Sequence, residues 1–146
     1  MKLDLSIVPY DLLHRVVKDL HPFLETAAQY SKGRSSAADI VRACFTGNYQ
    51  LWVVVDENTT FHGFFATEIK VYPRTKMLCI QHCVIEPHLM DEIEPMMQKM
   101  AEDFAKENGC AGIEFVGRPG WKKHALHYGY KAISVCYQRY FEEKTQ

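Results

Sequence analysis

The chain has 146 residues and a formal net charge of -1, because its 17 Lys and Arg residues nearly balance its 18 Asp and Glu residues. This balance gives no overall field that would draw the protein to nucleic acid or to an anionic membrane, so we expect neither as a partner. Hydrophobic residues make up 47% and charged residues 24%, which excludes a disordered chain. The composition predicts one domain with a packed core, spanning residues 1–146.

The first third of the chain predicts one strand followed by helices. Alternating apolar residues indicate a strand over residues 2–8. Helical spacing follows over residues 11–30, where Pro22 is expected to kink or split the helix. Ser36 and Asp39 have the spacing of a capping box, which predicts the start of a second helix.

The middle of the chain predicts a β-meander and a long helix. Strong strand patterns occupy residues 50–56, 61–72 and 76–85, and the links between them are short enough for antiparallel hairpins. Between residues 89 and 108 the apolar residues fall on one helical face and the charged residues on the other. This pattern predicts an amphipathic helix that packs on the sheet.

The last part of the chain predicts a short strand over residues 111–116, a short helix over residues 121–128 and a final strand over residues 131–141. A strand, helix, strand unit that follows a meander implies a parallel pair, formed by the strands at 76–85 and 111–116. The predicted fold is therefore α/β (α+β). It has a mixed, mostly antiparallel sheet with one central parallel pair, flanked by helices.

The cysteines favour a reducing compartment. There are five, an odd number, and most lie in apolar segments, as expected of reduced core thiols in a cytoplasmic protein. No apolar run approaches a membrane span, and no signal-peptide core is recognisable. Cys79 and Cys83 have a metal-like spacing, but on one face of a strand they would lie about 13 Å apart, with His82 on the opposite face. We therefore expect no metal site.

A motif in the second half resembles a known group of proteins. The segment from Cys110 to Trp121, Cys-Ala-Gly-Ile-Glu-Phe-Val-Gly-Arg-Pro-Gly-Trp, is followed by His-Tyr-Gly-Tyr at residues 127–130. It is similar to a motif of small bacteriophage-encoded proteins that have the fold of the Gcn5-related N-acetyltransferases, the GNAT fold. The predicted element order also resembles that fold. The resemblance implies a GNAT-like domain and, in an active member, transfer of an acetyl group from acetyl-CoA to an amine.

The chain departs from the family at the turn that holds acetyl-CoA. In active members, an Arg/Gln-x-x-Gly-x-Gly/Ala turn offers main-chain amides at a helix N-terminus to the CoA pyrophosphate. When Pro87 is aligned with the proline that ends the family's strand, residues 90–95 cover this turn and none of its anchors is present. Three acidic residues lie here instead: Asp91, Glu92 and Glu94. Pro95 lacks an amide hydrogen and Ile93 crowds the approach, so no cofactor is expected in the main interpretation. A simpler interpretation is that these acids only stabilise the helix start.

Candidate catalytic residues lie in two places. His82 and Glu86 lie on and just beyond the strand where the family often places its base. Ala125 replaces the tyrosine that often acts as general acid, and His124 and His127 flank that position. Histidines on a short surface helix also occur without any catalytic role.

Arg118 is a candidate for binding an anion. It follows a strand and precedes a helix, where arginine and free amides together bind carboxylate or phosphate, and Gly117 and Gly120 lie beside it. We expect it to line a concave site near the carboxyl ends of the parallel strands, and it would bind acetyl-CoA in an active enzyme. The alternative is an exposed turn arginine beside a Trp121 that packs into the core.

Two functions remain open. The first is a phage-type GNAT-fold protein that lacks conventional acetyl-CoA-dependent catalysis and acts in binding, assembly or host modulation, with a virion component as one form. The alternative is an N-acetyltransferase that holds acetyl-CoA by a non-standard grip. Only one long strand is predicted after Gly129, where the family usually builds two, so the sheet would keep an open edge. A second copy of the chain or a phage or host protein would cover it.

Overall fold

The computed structural model describes residues 1–142 and divides the chain into two units, Met1–Val116 and Gly117–Gln146. In chain order the first unit contains β1 (Leu3–Ile7), α1 (Leu13–Asp19), α2 (His21–Tyr30), α3 (Ala37–Phe45), β2 (Gln50–Asp56), β3 (Phe61–Val71), β4 (Lys76–Ile85), α4 (Met90–Glu107) and β5 (Gly112–Glu114). The second unit contains α5 (Lys122–His127). One domain over residues 1–146 stays a prediction.

The sheet of the first unit has five strands in the order β1-β2-β3-β4-β5. The first four pair antiparallel with their neighbours, and β5 pairs parallel with β4. The predicted fold class, with its meander and its parallel pair, is confirmed, but among residues 1–142 the pair lies at one end of the sheet and not at its centre. The meander strands begin and end within one residue of the predicted bounds, because strong alternation between short turn segments leaves little freedom in register.

Helices cover both faces of this sheet. Val53 and Phe64 belong to a buried cluster with residues of α1, α2 and α3. Their chain neighbours Val54 and Phe65 point to the other face and belong to a cluster with residues of α4. Because successive side chains of a strand alternate between faces, β2 and β3 contribute to both cores and lie at the centre of the unit.

The predicted helix boundaries agree with the structure. The N–H of Asp39 donates to Ser36 Oγ at 3.1 Å, and the N–H of Ser36 donates to Asp39 Oδ2 at 2.9 Å, which confirms the capping box at the start of α3. The first helical segment breaks at Leu20, and Pro22 lies in the first turn of α2. A proline there costs no hydrogen bond, so the chain turns without loss of pairing.

The second unit differs from the prediction. Residues 131–140 form no strand, and Ile133 and Tyr137 are 86% and 90% exposed. The predicted strand over 131–141 is therefore wrong, because an alternating pattern becomes a strand only where a neighbouring edge pairs with its main chain. Trp121, expected in the core, is half-buried. Within residues 1–142 no helix is long and apolar enough to cross a membrane.

Candidate functional site

A β-bulge at the start of β3 displaces His62 from regular pairing with β2. The next residue, Gly63, has φ of 154°, and a Cβ there would lie 2.5 Å from the carbonyl oxygen of Val84 and 2.6 Å from Cα of Ile85. Only glycine tolerates such a close approach of β4. The bulge therefore depends on Gly63, and it turns the histidine toward the strand ends.

Three side chains from three strand ends meet at this bulge, and we call them the histidine cluster: Asp56, His62 and Glu86. His62 Nδ1 lies 2.7 Å from Glu86 Oε2, and His62 Nε2 lies 2.8 Å from Asp56 Oδ2. The side chains of His62 and Asp56 are only 13% and 9% exposed, whereas that of Glu86 is 34% exposed. The cluster thus has a sheltered imidazole and one carboxylate that reaches solvent.

The two hydrogen bonds of His62 indicate that its ring is protonated. Both ring nitrogens can donate to ionised carboxylates only when the ring is an imidazolium. Hydrogen bonds to Asp56 and then to Glu86 raise the pKa of His62. The hydrogen bond from His62 lowers the pKa of Asp56, whose Oδ1 also accepts the N–H groups of Asn58 and Thr60. With His62 charged, the cluster has a net charge of about -1.

A second bulge lies in the middle of β4, where Gln81 is the extra residue opposite β3. Its amide Nε2 donates to Glu68 Oε1 at 2.7 Å. The ring of the next residue, His82, lies 5.9 Å from the ring of Tyr49. We call these four residues the bulge cluster. Burial lowers the pKa of His82 and also raises that of Tyr49, so the imidazole is a neutral base at pH 7.

The bulge at Gln81 also changes which way the cysteines point. Cys83 Sγ lies 3.9 Å from Met97 Sδ, on the face covered by α4. Leu78, the chain neighbour of Cys79, packs with residues of α4, so Cys79 points to the opposite face. The expectation that the two cysteines share a face, with His82 opposite Cys79, is wrong because one extra residue shifts the alternation of the strand.

The second half of β4 has an open edge, by which we mean residues 80–85. β5 pairs with β4 only from Met77 to Cys79, and no strand among residues 1–142 pairs with the open edge on that side. The N–H of Glu86 donates to the carbonyl oxygen of His62 at 3.0 Å. Because main-chain direction alternates along a strand, the N–H and C=O groups of Cys83 and Ile85 point away from β3, toward the open side. They can bind an extended ligand.

Acidic side chains surround the start of α4. The helix begins at Met90, directly after a 3-10 turn at Pro87–Leu89, and its Asp91 and Glu92 are exposed. Ile93 and Glu94 are buried. Pro95 lies inside the helix, beyond the first-turn N–H groups that an anion would bind, so the expectation that it removes one of those donors is wrong. The exposed carboxylates of the first turn are what oppose an anion here. This helix start therefore does not fit the diphosphate of acetyl-CoA.

Within the first unit, the structure places the two candidate catalytic residues in different clusters. Glu86 belongs to the histidine cluster and His82 to the bulge cluster, about 13 Å away along an extended strand. The other candidates lie in the second unit: Gly117, Arg118, Gly120, His124 and His127. The ring of His124 lies 5.7 Å from that of Trp121, and the ring of His127 lies 4.9 Å from that of Tyr128. Whether Arg118 lines a concave site remains a prediction.

Several residues of these clusters were missed in the sequence. They are Asp56, His62, Tyr49, Glu68 and Gln81. A histidine followed by glycine inside an otherwise apolar strand was the available signal for a bulge at residues 62–63. No comparable local signal marks Gln81, because that bulge exists only in relation to β3.

Comparisons with known proteins support the fold. No family model matches the chain, and no curated protein matches it. Solved structures do. A GNAT family acetyltransferase of Staphylococcus aureus has a TM-score of 0.67 at 11% identity, over 97% of this chain and all of that one. An aminoglycoside acetyltransferase from an uncultured soil metagenomic sample has a TM-score of 0.72 at 12% identity, over 97% of this chain and 100% of that one.

A third solved structure contains a ligand. A predicted acetyltransferase of Clostridium acetobutylicum, solved with acetyl-CoA, has a TM-score of 0.70 at 14% identity, and the match covers 95% of this chain and 96% of that chain. At such identities the similarity concerns the fold. The chain has the GNAT acetyltransferase fold.

Proposed function

We propose that this protein is an N-acyltransferase that moves an acyl group from a thioester to an amine. The observation that carries the proposal is the open edge of β4, which ends at the bulge cluster in the middle of the strand. An extended thioester arm pairs with the main-chain groups of Cys83 and Ile85, much as an added strand does. Its acyl group then reaches the bulge at Gln81, beside His82.

The reaction balances without any redox partner. The amine nitrogen attacks the thioester carbonyl carbon, a C–N bond forms, and the C–S bond breaks to release a thiol. The proton lost by the amine passes to His82 and then to the leaving sulfur. His82 suits this step because burial keeps its imidazole neutral at pH 7. Tyr49 packs against the ring and limits its orientation.

Other residues remain candidates for parts of this reaction. Glu86 is an alternative proton acceptor, and its hydrogen bond to His62 orients its carboxylate. His124 and His127 are proposed as alternatives from the second unit. Arg118, with Gly117 and Gly120, is the proposed contact for any anionic part of the donor.

A second candidate function is a phage-type protein that binds a phage or host partner, or a second copy of itself, without catalysis. The acidic start of α4 favours it, because acetyl-CoA does not fit there. The resemblance to phage proteins and a cytoplasmic location remain proposals. The likeness to solved acetyltransferases favours the enzyme, so we place acyl transfer first.

The test is an acylation assay with thioester donors and a panel of primary amines, monitored by thiol release and by the mass of the product. His82→Gln is expected to lower the rate by about 10²-fold or more. His14→Gln, on the exposed side of α1, is the matched control and is expected to leave the rate unchanged. If no donor and amine pair reacts with the wild-type protein, the proposal of acyl transfer is wrong.

A further inference from the structure

We infer that the acyl donor is a thioester on a neutral, pantetheine-like arm that carries no nucleotide diphosphate. The inference rests on the proposed acyl transfer and specifies its donor. It follows from two features of the first unit that lie one after the other along the chain. The open edge of β4 offers uncharged main-chain groups to an arm that contains amides, whereas the start of α4 offers exposed carboxylates.

The charges at the start of α4 oppose a diphosphate. Asp91 and Glu92 lie in the first helical turn and are exposed. Just before this turn, Glu86 belongs to the histidine cluster, which keeps a net negative charge even with its imidazolium. Like charges within a few ångström repel, and the effect is greater at a partly dry surface than in bulk water. The carboxylates therefore cancel the attraction that a helix N-terminus normally has for an anion.

Main-chain N–H groups at the start of α4 do not compensate for the lack of positive charge there. An anion at a helix start is normally held by several free N–H groups that small residues leave accessible. Here the N–H of Leu89 already donates to the carbonyl oxygen of Glu86 at 2.9 Å, and the N–H of Met90 donates to that of Pro87, so two N–H groups at the helix start are paired. No glycine occurs between Pro87 and Glu107. A diphosphate would meet side chains and carboxylates where it needs amides.

Binding measurements separate the two donor types. Acetyl-pantetheine and acetyl-CoA present the same thioester arm, but only the second carries the nucleotide diphosphate. Dissociation constants are measured by calorimetry on the full chain at low and high salt. We expect acetyl-pantetheine to bind at least ten-fold more tightly at low salt. We expect added salt to strengthen acetyl-CoA binding, because salt screens repulsion between charges.

Variants that remove charge test whether the carboxylates at the start of α4 weaken the binding of acetyl-CoA. Asp91→Asn with Glu92→Gln is expected to lower the Kd of acetyl-CoA at least five-fold and to leave that of acetyl-pantetheine unchanged. Glu102→Gln with Asp103→Asn makes the same change of charge toward the other end of α4, where both acids are exposed ion-pair partners. This control pair is expected to change neither constant by more than about two-fold.

Each remaining outcome decides between the two proposals. If acetyl-CoA binds more tightly than acetyl-pantetheine, and salt or Arg118→Ala weakens it, the donor inference is wrong and acyl transfer stands with a grip from Arg118. If neither thioester binds or is consumed, acyl transfer itself fails and the donor inference fails with it. Tight binding of acetyl-pantetheine without turnover of any amine would contradict the proposed reaction, and the donor inference that rests on it would fail as well.

Discussion

Replacing His62 with glutamine should weaken the fold in a pH-dependent way. The imidazolium joins the end of β2, the start of β3 and the chain after β4 through two hydrogen bonds to carboxylates. Glutamine is neutral, and its amide group can donate to one carboxylate while its amide oxygen has no proton to donate to the other. The substitution therefore removes the positive charge beside both acids and the hydrogen bond to one of them.

The expected loss follows from the contacts and the exposure of the residues. A hydrogen bond to a charged group contributes about 1.5–3 kcal/mol when buried, and less where water reaches the pair. Since Glu86 is partly exposed and glutamine keeps one donor, we expect the His62 substitution to cost about 2 kcal/mol near pH 6. For a chain of this length, that loss lowers the melting temperature by roughly 5–10 °C.

The cost should depend on pH in a defined direction. The pKa of His62 in the folded protein is raised above its ordinary value of about 6.5. The stabilisation that His62 contributes is therefore fully present below about pH 6.5 and is lost as the pH rises through the folded-state pKa. The pKa of Asp56 is lowered, so its contribution is present above about 3.9 and is lost as pH falls through the folded-state pKa. The difference in the free energy of unfolding between the wild type and His62→Gln is therefore largest between about pH 4.5 and 6.5, and it becomes smaller above that range.

Urea denaturation at several pH values from 5.5 to 9 measures this gap. His88→Gln is the matched control, because His88 is an exposed histidine whose Nε2 lies 3.9 Å from Glu86 Oε2. We expect the control to change stability by less than about 0.5 kcal/mol. A gap that stays constant up to pH 9 would refute the role given to the imidazolium, and so would a control that costs as much as His62→Gln.

Two further substitutions test the bulge of β3 and the start of α3. Gly63→Ala should lower the free energy of unfolding, measured by urea denaturation, by about 2 kcal/mol or more, because its Cβ would meet the main chain of β4. Gly120→Ala is the control and should lower it little, because no heavy atom lies within 4 Å of a Cβ at that position. Ser36→Ala should cost about 1 kcal/mol, since it removes the acceptor for the N–H of Asp39, and Ser36→Thr should recover most of the loss. Equal stability of Gly63→Ala and Gly120→Ala would mean that the bulge relaxes at no cost.

The fold could be predicted from the sequence where patterns are local. Alternation within the meander, the spacing of Ser36 and Asp39, and the apolar face of α4 each determine a structure over a few consecutive residues. The parallel pairing of β4 and β5 followed from the order of the elements. The local predictions are confirmed because they depend on short-range geometry, and the parallel pair is confirmed because the order of the elements leaves few possible pairings.

The candidate site could be predicted only in part, because it depends on register. Glu86 and His82 were recognised from their places on and just beyond a strand, but the other two members of the histidine cluster come from β2 and β3. Which residues of neighbouring strands meet is decided by bulges, and the bulge at Gln81 has no local signature. The predicted strand over residues 131–141 was wrong for a related reason, because a strand forms only where a sheet edge outside the segment pairs with it.

A last prediction concerns a buried polar chain on the face of the sheet toward α4. The indole N–H of Trp52 donates to Thr67 Oγ1 at 3.0 Å, and Thr67 Oγ1 donates to Gln50 Oε1 at 2.8 Å. Thr67 is fully buried, so Thr67→Val leaves the indole N–H without its acceptor and should cost about 1–3 kcal/mol. Trp52→Phe also costs stability, since the indole stacks on Phe65 with centroids 5.2 Å apart.

The double variant distinguishes a hydrogen bond from simple packing. With Phe at position 52 no indole N–H remains, so Thr67→Val should then cost about 1 kcal/mol less than it does in the wild-type background. The cycle is measured by urea denaturation. Thr67→Val combined with Ser36→Ala is the control, and this pair should add within about 0.5 kcal/mol because Ser36 caps a helix on the other face and shares no partner with Thr67. If the costs at positions 52 and 67 add as fully as those of the control, the hydrogen bond between the indole and Thr67 contributes no stability, and the cost of Thr67→Val comes from the bond to Gln50 and from packing.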